Sequence, residues 1–190
     1  RKNEGKIKII ADQWANDWQP IEALKHTENA LIKNNNEVVA IVTSNDGTRI
    51  AVECTGAGPN LLIVHGGTGD RKRWLPLLPL FARSFNVCAM DRRGHGQSQP
   101  GANYSLRKES EDIVAVVNSR RGPVFVLGHS IGGVFALEAA LLTKKISKLA
   151  LYEPPLQDLD HSAVADRMER LIEAGDSEQA LLMFFREIVK

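Results

Sequence analysis

The stretch that decides the fold runs from Val124 to Gly133 and has the sequence VFVLGHSIGG. Its four leading apolar residues predict a strand covered on both faces, and the apolar spacing over Ile131–Leu142 predicts a helix directly after it. Between strand and helix, Gly128-His129-Ser130-Ile131-Gly132 is a GxSxG motif, which in this context places a serine nucleophile on a sharp turn. The alternatives are a glycine turn that binds phosphate and a chance match in a loop.

Strands and helices alternate on both sides of this stretch. The patterns predict strands over Asn60–Val64, Asn86–Asp91 and Ile146–Tyr152, and helices over Trp74–Ser84 and Ser105–Ser119. Strands separated by helices pair in parallel through crossovers, so the expected fold class is α/β, with a mostly parallel, doubly wound sheet. After Pro155 two amphipathic helices follow, at about 161–173 and from Asp176, where Asp176 and Gln179 form a start similar to a capping box.

Two glycine-rich or polar turns follow the predicted strands upstream of the motif. His65-Gly66-Gly67 follows the first strand, and its Gly67 N–H is predicted to form an oxyanion hole with the Ile131 N–H at the helix N-terminus. The alternative is that Gly66 and Gly67 only permit a tight turn. Asp91 opens a second polar loop that ends at Ser98, and we expect it to make structural hydrogen bonds.

Taken together, these motifs resemble the N-terminal part of the α/β-hydrolase superfamily over residues of about 43–190. The matching stretches are 46–50, 65–67, 91–98, 128–133 and 151–155. The resemblance implies Ser130 as the nucleophile in an esterase-like attack on the acyl carbon of a small ester-like substrate. It also implies Gly67 and Ile131 as oxyanion donors, supported by His65, Gly66, Asp91, Gly128, His129 and Gly132, with a helical cap beginning after Pro155. Serine at the elbow argues against the dehalogenase and epoxide-hydrolase branches, which attack with a carboxylate.

The chain departs from the family pattern after the nucleophile. Family order is nucleophile, acid and histidine, yet His161 is the only histidine that follows Ser130, and it starts a predicted helix. The carboxylates of Asp158, Asp160 and Asp166 fit loop and helix-start positions better than a triad. We therefore expect a C-terminally truncated hydrolase that lacks the triad acid and base and is inactive, or nearly so, by itself. The predicted chemistry requires no cofactor and no metal.

The N-terminal segment has a different resemblance. The first 44 residues are predicted to form a β-α-β unit, with strands over Lys6–Ile10 and Glu37–Ser44 and a helix over Pro20–Ile32. Residues of about 5–47 resemble periplasmic sugar-binding proteins of the xylose type in the stretches 5–10, 12–14, 22–24, 28–31 and 43–46. This resemblance implies sugar contacts for Trp14 and Asn45. A chimera joined near Ser44–Thr48 would explain both resemblances, with a β-α-β segment at 1–44, a hydrolase core at 45–153 and the start of a cap at 154–190. The alternative function is a non-catalytic chimeric fragment or a sugar-binding remnant.

Charge and composition limit the classes of partner that the chain is expected to bind. The chain has 190 residues, with 24 Lys and Arg against 23 Asp and Glu, and the resulting charge of +1 does not favour nucleic acid or anionic membrane. No apolar stretch approaches the roughly 20 residues of a membrane span, so we expect a cytoplasmic protein.

Cys54 and Cys88 suggest neither a disulfide nor a zinc site and are expected as buried strand residues. A sheet cut after its central strands exposes an apolar edge, through which self-association is expected.

Overall fold

The computed structural model describes residues 8–9, 30–34, 37–156 and 162–187. The chain divides into two compact units, residues 1–155 and 156–190. The first unit contains an eight-stranded sheet with the order β1-β2-β3-β4-β6-β5-β7-β8. Its strands are β1 (Lys8–Ile9), β2 (Ala30–Asn34), β3 (Glu37–Thr43), β4 (Arg49–Thr55), β5 (Asn60–Val64), β6 (Asn86–Met90), β7 (Val124–His129) and β8 (Ile146–Tyr152).

The helices of the first unit follow the parallel strands. They are a 3-10 helix (Arg71–Trp74), α1 (Leu78–Phe81), α2 (Leu106–Asn118) and α3 (Ile131–Leu142). The second unit contains α4 (Ser162–Glu173) and α5 (Ser177–Glu187), joined by a turn with Gly175 at φ +79°. The Asp176 side chain accepts a hydrogen bond from the Gln179 N–H (3.1 Å), as expected for the start of the second helix.

The predicted α/β fold class is confirmed. Strands β6, β5, β7 and β8 are parallel, and their register sets Val64 opposite both Met90 and Gly128. The carboxyl ends of these strands therefore meet at one edge of the sheet. Strands β1 to β4 pair in antiparallel fashion, and β4 is also antiparallel to β6, so the parallel part of the sheet is confined to four strands.

The core lies on both faces of the parallel strands. Successive residues of a strand point to opposite faces, so Leu62 and Val64 pack in one cluster while Leu61 and Ile63 pack in the other. The first cluster includes buried residues of α2 and α3, and the second includes Trp74 and the start of α1. Burial on both faces explains why the strand sequences are continuously apolar.

The helix predicted over Trp74–Ser84 is wrong in its extent. Only Leu78–Phe81 is α-helical, and the 3-10 helix ends at Trp74. Pro76 and Pro79 lack a backbone N–H, and inside a helix their rings would clash with the carbonyl groups four residues earlier, so one continuous α-helix over this segment is disfavoured.

The β-α-β unit predicted for the N-terminal segment is also wrong where the structure describes it. Ala30–Asn34 is a strand rather than the end of a helix, and it pairs in antiparallel fashion with Glu37–Thr43. The rest of the predicted helix lies outside the described residues. The turn at Asn45-Asp46-Gly47 is as predicted, with Gly47 at φ +83° between the antiparallel strands β3 and β4.

The two cysteines form a disulfide, so the expectation that they are unlinked is wrong. Cys54 of β4 lies directly opposite Cys88 of β6, with a Cα–Cα distance of 4.0 Å. The two strands are neighbours in the sheet but not in the sequence, and the 34-residue separation carries no signal of that pairing. Within the described residues no helix combines the length and apolar character that crossing a membrane requires.

Candidate active site

Ser130 lies on the turn between β7 and α3. Its backbone has φ 51° and ψ −132°, in a region of positive φ that residues other than glycine seldom adopt. Ser130 is the N-cap residue of α3, yet its side chain makes no capping hydrogen bond. A serine in this position normally accepts a hydrogen bond from the first turn of the helix. The Ser130 hydroxyl is therefore not engaged by the helix that it precedes.

The packing around this turn leaves no room for side chains at positions 128 and 132. A Cβ on Gly132 would lie 2.2 Å from the carbonyl oxygen of His65, and a Cβ on Gly128 would lie 2.5 Å from the Cα of Gly133. Both contacts are with backbone atoms, which cannot rotate away. The two glycines thus allow α3 to start directly against the ends of β5 and β7.

The two predicted oxyanion donors, Gly67 and Ile131, lie close to each other at the serine turn. Ile131 is the first residue of α3, so its N–H has no acceptor within the helix. A Cβ on Gly66 would lie 3.1 Å from the Ser130 Cβ, and a Cβ on Gly67 would lie 3.7 Å from the Ile131 Cγ2. The structure thus brings together Gly66, Gly67, Ser130 and Ile131, which the sequence assigned to one site.

His65 is fully buried and connects two loops of the site. Its Nε2 accepts a hydrogen bond from the Arg92 backbone N–H (3.0 Å), and its Nδ1 lies 2.7 Å from the Gly66 carbonyl oxygen. These partners require that Nδ1 carries the proton and donates it to Gly66. Burial lowers the pKa of His65 to about 4, against the opposing effect of the Gly66 hydrogen bond. The ring is therefore neutral at neutral pH.

Asp91 is committed to holding its own loop. Its carboxylate accepts hydrogen bonds from the backbone N–H groups of Arg71 and Gln97, both at 2.8 Å, and pairs with the buried Arg71 guanidinium. A Cβ on Gly96, which has φ +53°, would lie 2.3 Å from this carboxylate. Both oxygens of the Asp91 carboxylate are thus engaged in structural contacts, which join the loop from 91 to 98 to Arg71 at the start of the 3-10 helix.

Two arginines after Asp91 form bidentate pairs with carboxylates of α2. Arg92 binds Glu109 through Nε (3.1 Å) and Nη2 (2.5 Å), and Arg93 binds Asp112 through Nε (2.7 Å) and Nη2 (2.8 Å). All four side chains are buried. Arg92 also donates through Nη1 to the Gly66 carbonyl oxygen at 3.0 Å.

These four residues are absent from the predicted site, although the sequence carries a signal for their pairing. Glu109 and Asp112 are three residues apart and share the buried face of α2 with Ile113 and Val116. Carboxylates on a face that otherwise predicts core packing require buried cationic partners. The Arg92-Arg93 pair at the end of a neighbouring strand could have supplied them.

The His129 ring forms an aromatic wall next to Ser130. It stacks on Tyr152 at 5.2 Å between ring centroids and meets Trp74 edge-on at 6.1 Å. Burial and the Arg73 charge lower the pKa of His129, while Glu153 opposes the shift. Within the described residues, the buried His129 Nδ1 and Trp74 Nε1 make no hydrogen bond.

The remaining predicted residues lie elsewhere or are not described. Asn45 is exposed in the turn between β3 and β4. Asp166 is exposed on α4, in the second unit. Residues outside the described part of the chain are Trp14, Asp158, Asp160 and His161.

Solved structures of hydrolases are similar to this chain. An alpha/beta hydrolase from Sphaerobacter thermophilus has a TM-score of 0.71 and 34% identity, with the alignment covering 77% of this chain and 59% of that chain. The N-formylmaleamic acid deformylase from Pseudomonas putida has a TM-score of 0.58 and 30% identity, covering 71% of this chain and 56% of that one.

Curated relatives match this chain over about half of their own length or less. The uncharacterized hydrolase YraK of Bacillus subtilis is 28% identical over 134 residues, which is 67% of this chain and 49% of that protein. An uncharacterized protein of Mycobacterium tuberculosis is 36% identical over 98 residues, and the match covers 28% of its length. The chain thus spans about half, or less, of these relatives. The model of the alpha/beta hydrolase family matches residues 61–188, and the chain belongs to that family.

Proposed function

We propose that this chain carries the nucleophile and the oxyanion hole of a serine hydrolase that acts on a small ester-like substrate. The observation that carries the proposal is the conformation of Ser130, whose φ of 51° presents it on a strand-to-helix turn while its hydroxyl leaves α3 uncapped. A nucleophilic serine needs an accessible hydroxyl that no structural hydrogen bond occupies. Membership of the family and the similarity to a deformylase support hydrolysis of an acyl group.

The proposed reaction begins with attack of the Ser130 Oγ on the acyl carbon. As the new C–O bond forms, the carbonyl electron pair moves onto the substrate oxygen, and the resulting oxyanion accepts hydrogen bonds from the N–H groups of Ile131 and Gly67. The N-terminal end of α3 adds a favourable dipole. Each N–H donor would stabilise the transition state by about 3 kcal/mol. Collapse of the intermediate expels the leaving group, and water then hydrolyses the acyl-enzyme.

Fast attack requires a base that accepts the proton of the serine hydroxyl, and without such a base water takes up this proton in a slow step. His65 cannot take this part, because Nδ1 donates to Gly66 and Nε2 accepts from Arg92. Among the described residues, no histidine makes a hydrogen bond to the Ser130 hydroxyl. We therefore propose that this chain by itself acylates slowly and turns over little, with the oxyanion hole as its main source of rate enhancement.

The proposal is tested by covalent labelling with a fluorophosphonate, followed by intact-mass measurement and peptide mapping. We expect one adduct, at Ser130, and none in Ser130→Ala. Ser105→Ala is the matched control, because Ser105 is also an N-cap residue but does accept a hydrogen bond from the Lys108 N–H (3.3 Å). This control should lose about 1 kcal/mol of stability and keep its labelling rate.

Two outcomes would overturn the proposal. Labelling of Ser130→Ala at the wild-type rate would place the reactive group elsewhere. A wild-type protein that is neither labelled nor able to hydrolyse 4-nitrophenyl acetate would favour a non-catalytic fragment.

A further inference from the structure

We propose that Arg92 is a positioning residue for the oxyanion hole. Its guanidinium holds the Gly66 carbonyl, so that the N–H of the same peptide group, which belongs to Gly67, faces the Ser130 turn. The inference deepens the proposed function, on which it rests for the part that Gly67 takes in binding the oxyanion.

The argument starts from the geometry of one peptide group. The Gly66 carbonyl and the Gly67 N–H belong to the same planar unit, and no described peptide bond is cis, so the two groups point in opposite directions. The carbonyl oxygen accepts hydrogen bonds from the Arg92 Nη1 (3.0 Å) and the His65 Nδ1 (2.7 Å). Two donors on the carbonyl side fix the direction of the N–H on the other side. Gly67 lies next to Ile131, the residue that supplies the other oxyanion donor.

The Arg92 side chain is itself held firmly. Glu109 of α2 binds it through two hydrogen bonds, and its guanidinium lies 4.9 Å from the ring centroid of Phe135 on α3. Glu109 and Phe135 are both buried. One guanidinium therefore links the turn after β5 to the two helices that flank the nucleophile turn.

The charge of Arg92 adds to the effect of its position. A carbonyl that accepts a hydrogen bond from a cation is polarised, which makes the N–H of the same peptide a stronger donor. The Glu109 carboxylate neutralises the guanidinium, so the site gains this polarisation without a net positive charge. Arg92 acts through Gly67 and needs no contact with the substrate.

Arg93 provides a matched control for this arrangement. It is the next residue, is equally buried, and binds Asp112 of α2 in the same bidentate manner. Arg93 makes no hydrogen bond to Gly66; its further contact is with Asp46, at 3.2 Å. Replacement by lysine removes the same kind of bidentate pair at either position, because an ammonium group cannot reproduce the guanidinium fork. Only the change at Arg92 also removes the contact with Gly66.

The first experiment compares Arg92→Lys with Arg93→Lys by the concentration dependence of fluorophosphonate labelling at Ser130. We expect Arg92→Lys to lower the maximal labelling rate by about 10- to 100-fold, which is at or below the effect of deleting a whole oxyanion donor. The apparent binding constant of the reagent should not change. Arg93→Lys should label at close to the wild-type rate, and urea unfolding establishes that both variants are folded. If Arg92→Lys does not fold, Glu109→Gln replaces it, with a smaller loss of rate expected.

The second experiment does not depend on the chemistry of Ser130. The amide resonance of Gly67 in a nitrogen-15 correlation spectrum reports the hydrogen bonding of its peptide group. We expect it to shift in Arg92→Lys and to stay in place in Arg93→Lys. Equal labelling rates in the two variants, or a Gly67 resonance that Arg92→Lys does not move, would overturn the inference. An unlabelled wild-type protein would count against the proposed function alone, since the resonance still tests the positioning.

Discussion

At the scale of single residues, position 132 needs a glycine because the His65 carbonyl oxygen, at the end of β5, leaves no room for a Cβ. Replacement by alanine would set the new Cβ 2.2 Å from the His65 oxygen and 3.0 Å from the Val64 oxygen. We expect Gly132→Ala to lower the free energy of unfolding by about 2–3 kcal/mol, because backbone must move to relieve the clash. Urea unfolding measures the change.

Gly69→Ala is the control for this substitution, since its Cβ would meet only the Arg73 Cδ, at an ordinary 3.5 Å. It should unfold near the wild-type midpoint. Equal stability of the two alanine variants would contradict the packing described for the start of α3.

His65 makes stability depend on pH in a defined direction. Burial lowers its pKa from 6.5 to about 4, so between these values the unfolded chain binds a proton that the folded chain excludes. The contribution of the neutral His65 ring to the free energy of unfolding is complete above pH 6.5 and falls as the pH drops towards 4. Below pH 4 it changes no further, because the ring is then protonated in both the folded and the unfolded chain. The loss amounts to about 3 kcal/mol. Urea unfolding at a series of pH values should record this decline.

His65→Gln removes the titrating group, so the pH dependence should become shallower in that variant. Lowered pKa values of His95 and His129, both due mainly to burial, account for part of the slope that remains. An unchanged pH dependence in His65→Gln would show that the ring is not buried in its neutral form.

At the scale of elements, a disulfide joins two strands that are distant in sequence. Cys54 and Cys88 close a loop with a sequence separation of 34, which restricts the unfolded chain. We expect the double variant Cys54→Ala/Cys88→Ala to unfold with about 2–4 kcal/mol less free energy than the oxidised protein. Urea unfolding with and without reductant provides the measurement, and reductant should not affect the double variant. Free thiols that react with iodoacetamide in the native, unreduced protein would contradict the disulfide.

The sequence predicted the elements whose signals are local. Strand β5, helix α3 and strand β8 have the predicted bounds, because each is a dense apolar segment with a clear start and end. The helix predicted at Trp74–Ser84 is wrong in its extent because its apolar spacing indicates one continuous helix, whereas Pro76 and Pro79 interrupt it. The hairpin of β2 and β3 and the disulfide depend on pairing between segments, which spacing along the chain does not encode.

For the same reason, the sequence predicts the residues of the candidate site that lie in short motifs and misses those that depend on a distant partner. Ser130, Gly67 and Ile131 belong to short motifs, whose glycines mark turns where backbone must approach closely. Arg92 and Glu109 were missed, since the value of each depends on a partner 17 residues away. A charged residue on the buried side of a helix therefore indicates a buried partner elsewhere in the chain.

At the scale of the whole molecule, the exposed edge of the sheet has an expected consequence. Among the described strands, β8 pairs only with β7, and its last residue, Tyr152, is 52% exposed. Leu141 of α3, the helix that packs against β8, is 83% exposed. An apolar sheet edge favours pairing with another chain, and we propose that copies of this chain self-associate there. Sedimentation velocity should detect larger species as concentration rises, and Leu141→Glu should reduce them.

Leu80→Glu is the control for this experiment, because Leu80 is also well exposed but belongs to α1. It should leave the association unchanged. A single monomeric species at every concentration would argue against association through the β8 edge.

The buried pairs Arg92–Glu109 and Arg93–Asp112 constrain how this protein can drift neutrally over generations. Losing one partner leaves an uncompensated charge inside the protein, at a cost of about 3–5 kcal/mol, whereas exchanging both for apolar residues is close to neutral. A protein in which only one of the two positions has changed therefore loses much of the free energy of unfolding of a typical domain. Arg93 and Asp112 can therefore be replaced by apolar residues only if both change together. Arg92 is tied more tightly, because its loss would also release the Gly66 carbonyl, which no compensating change at Glu109 restores.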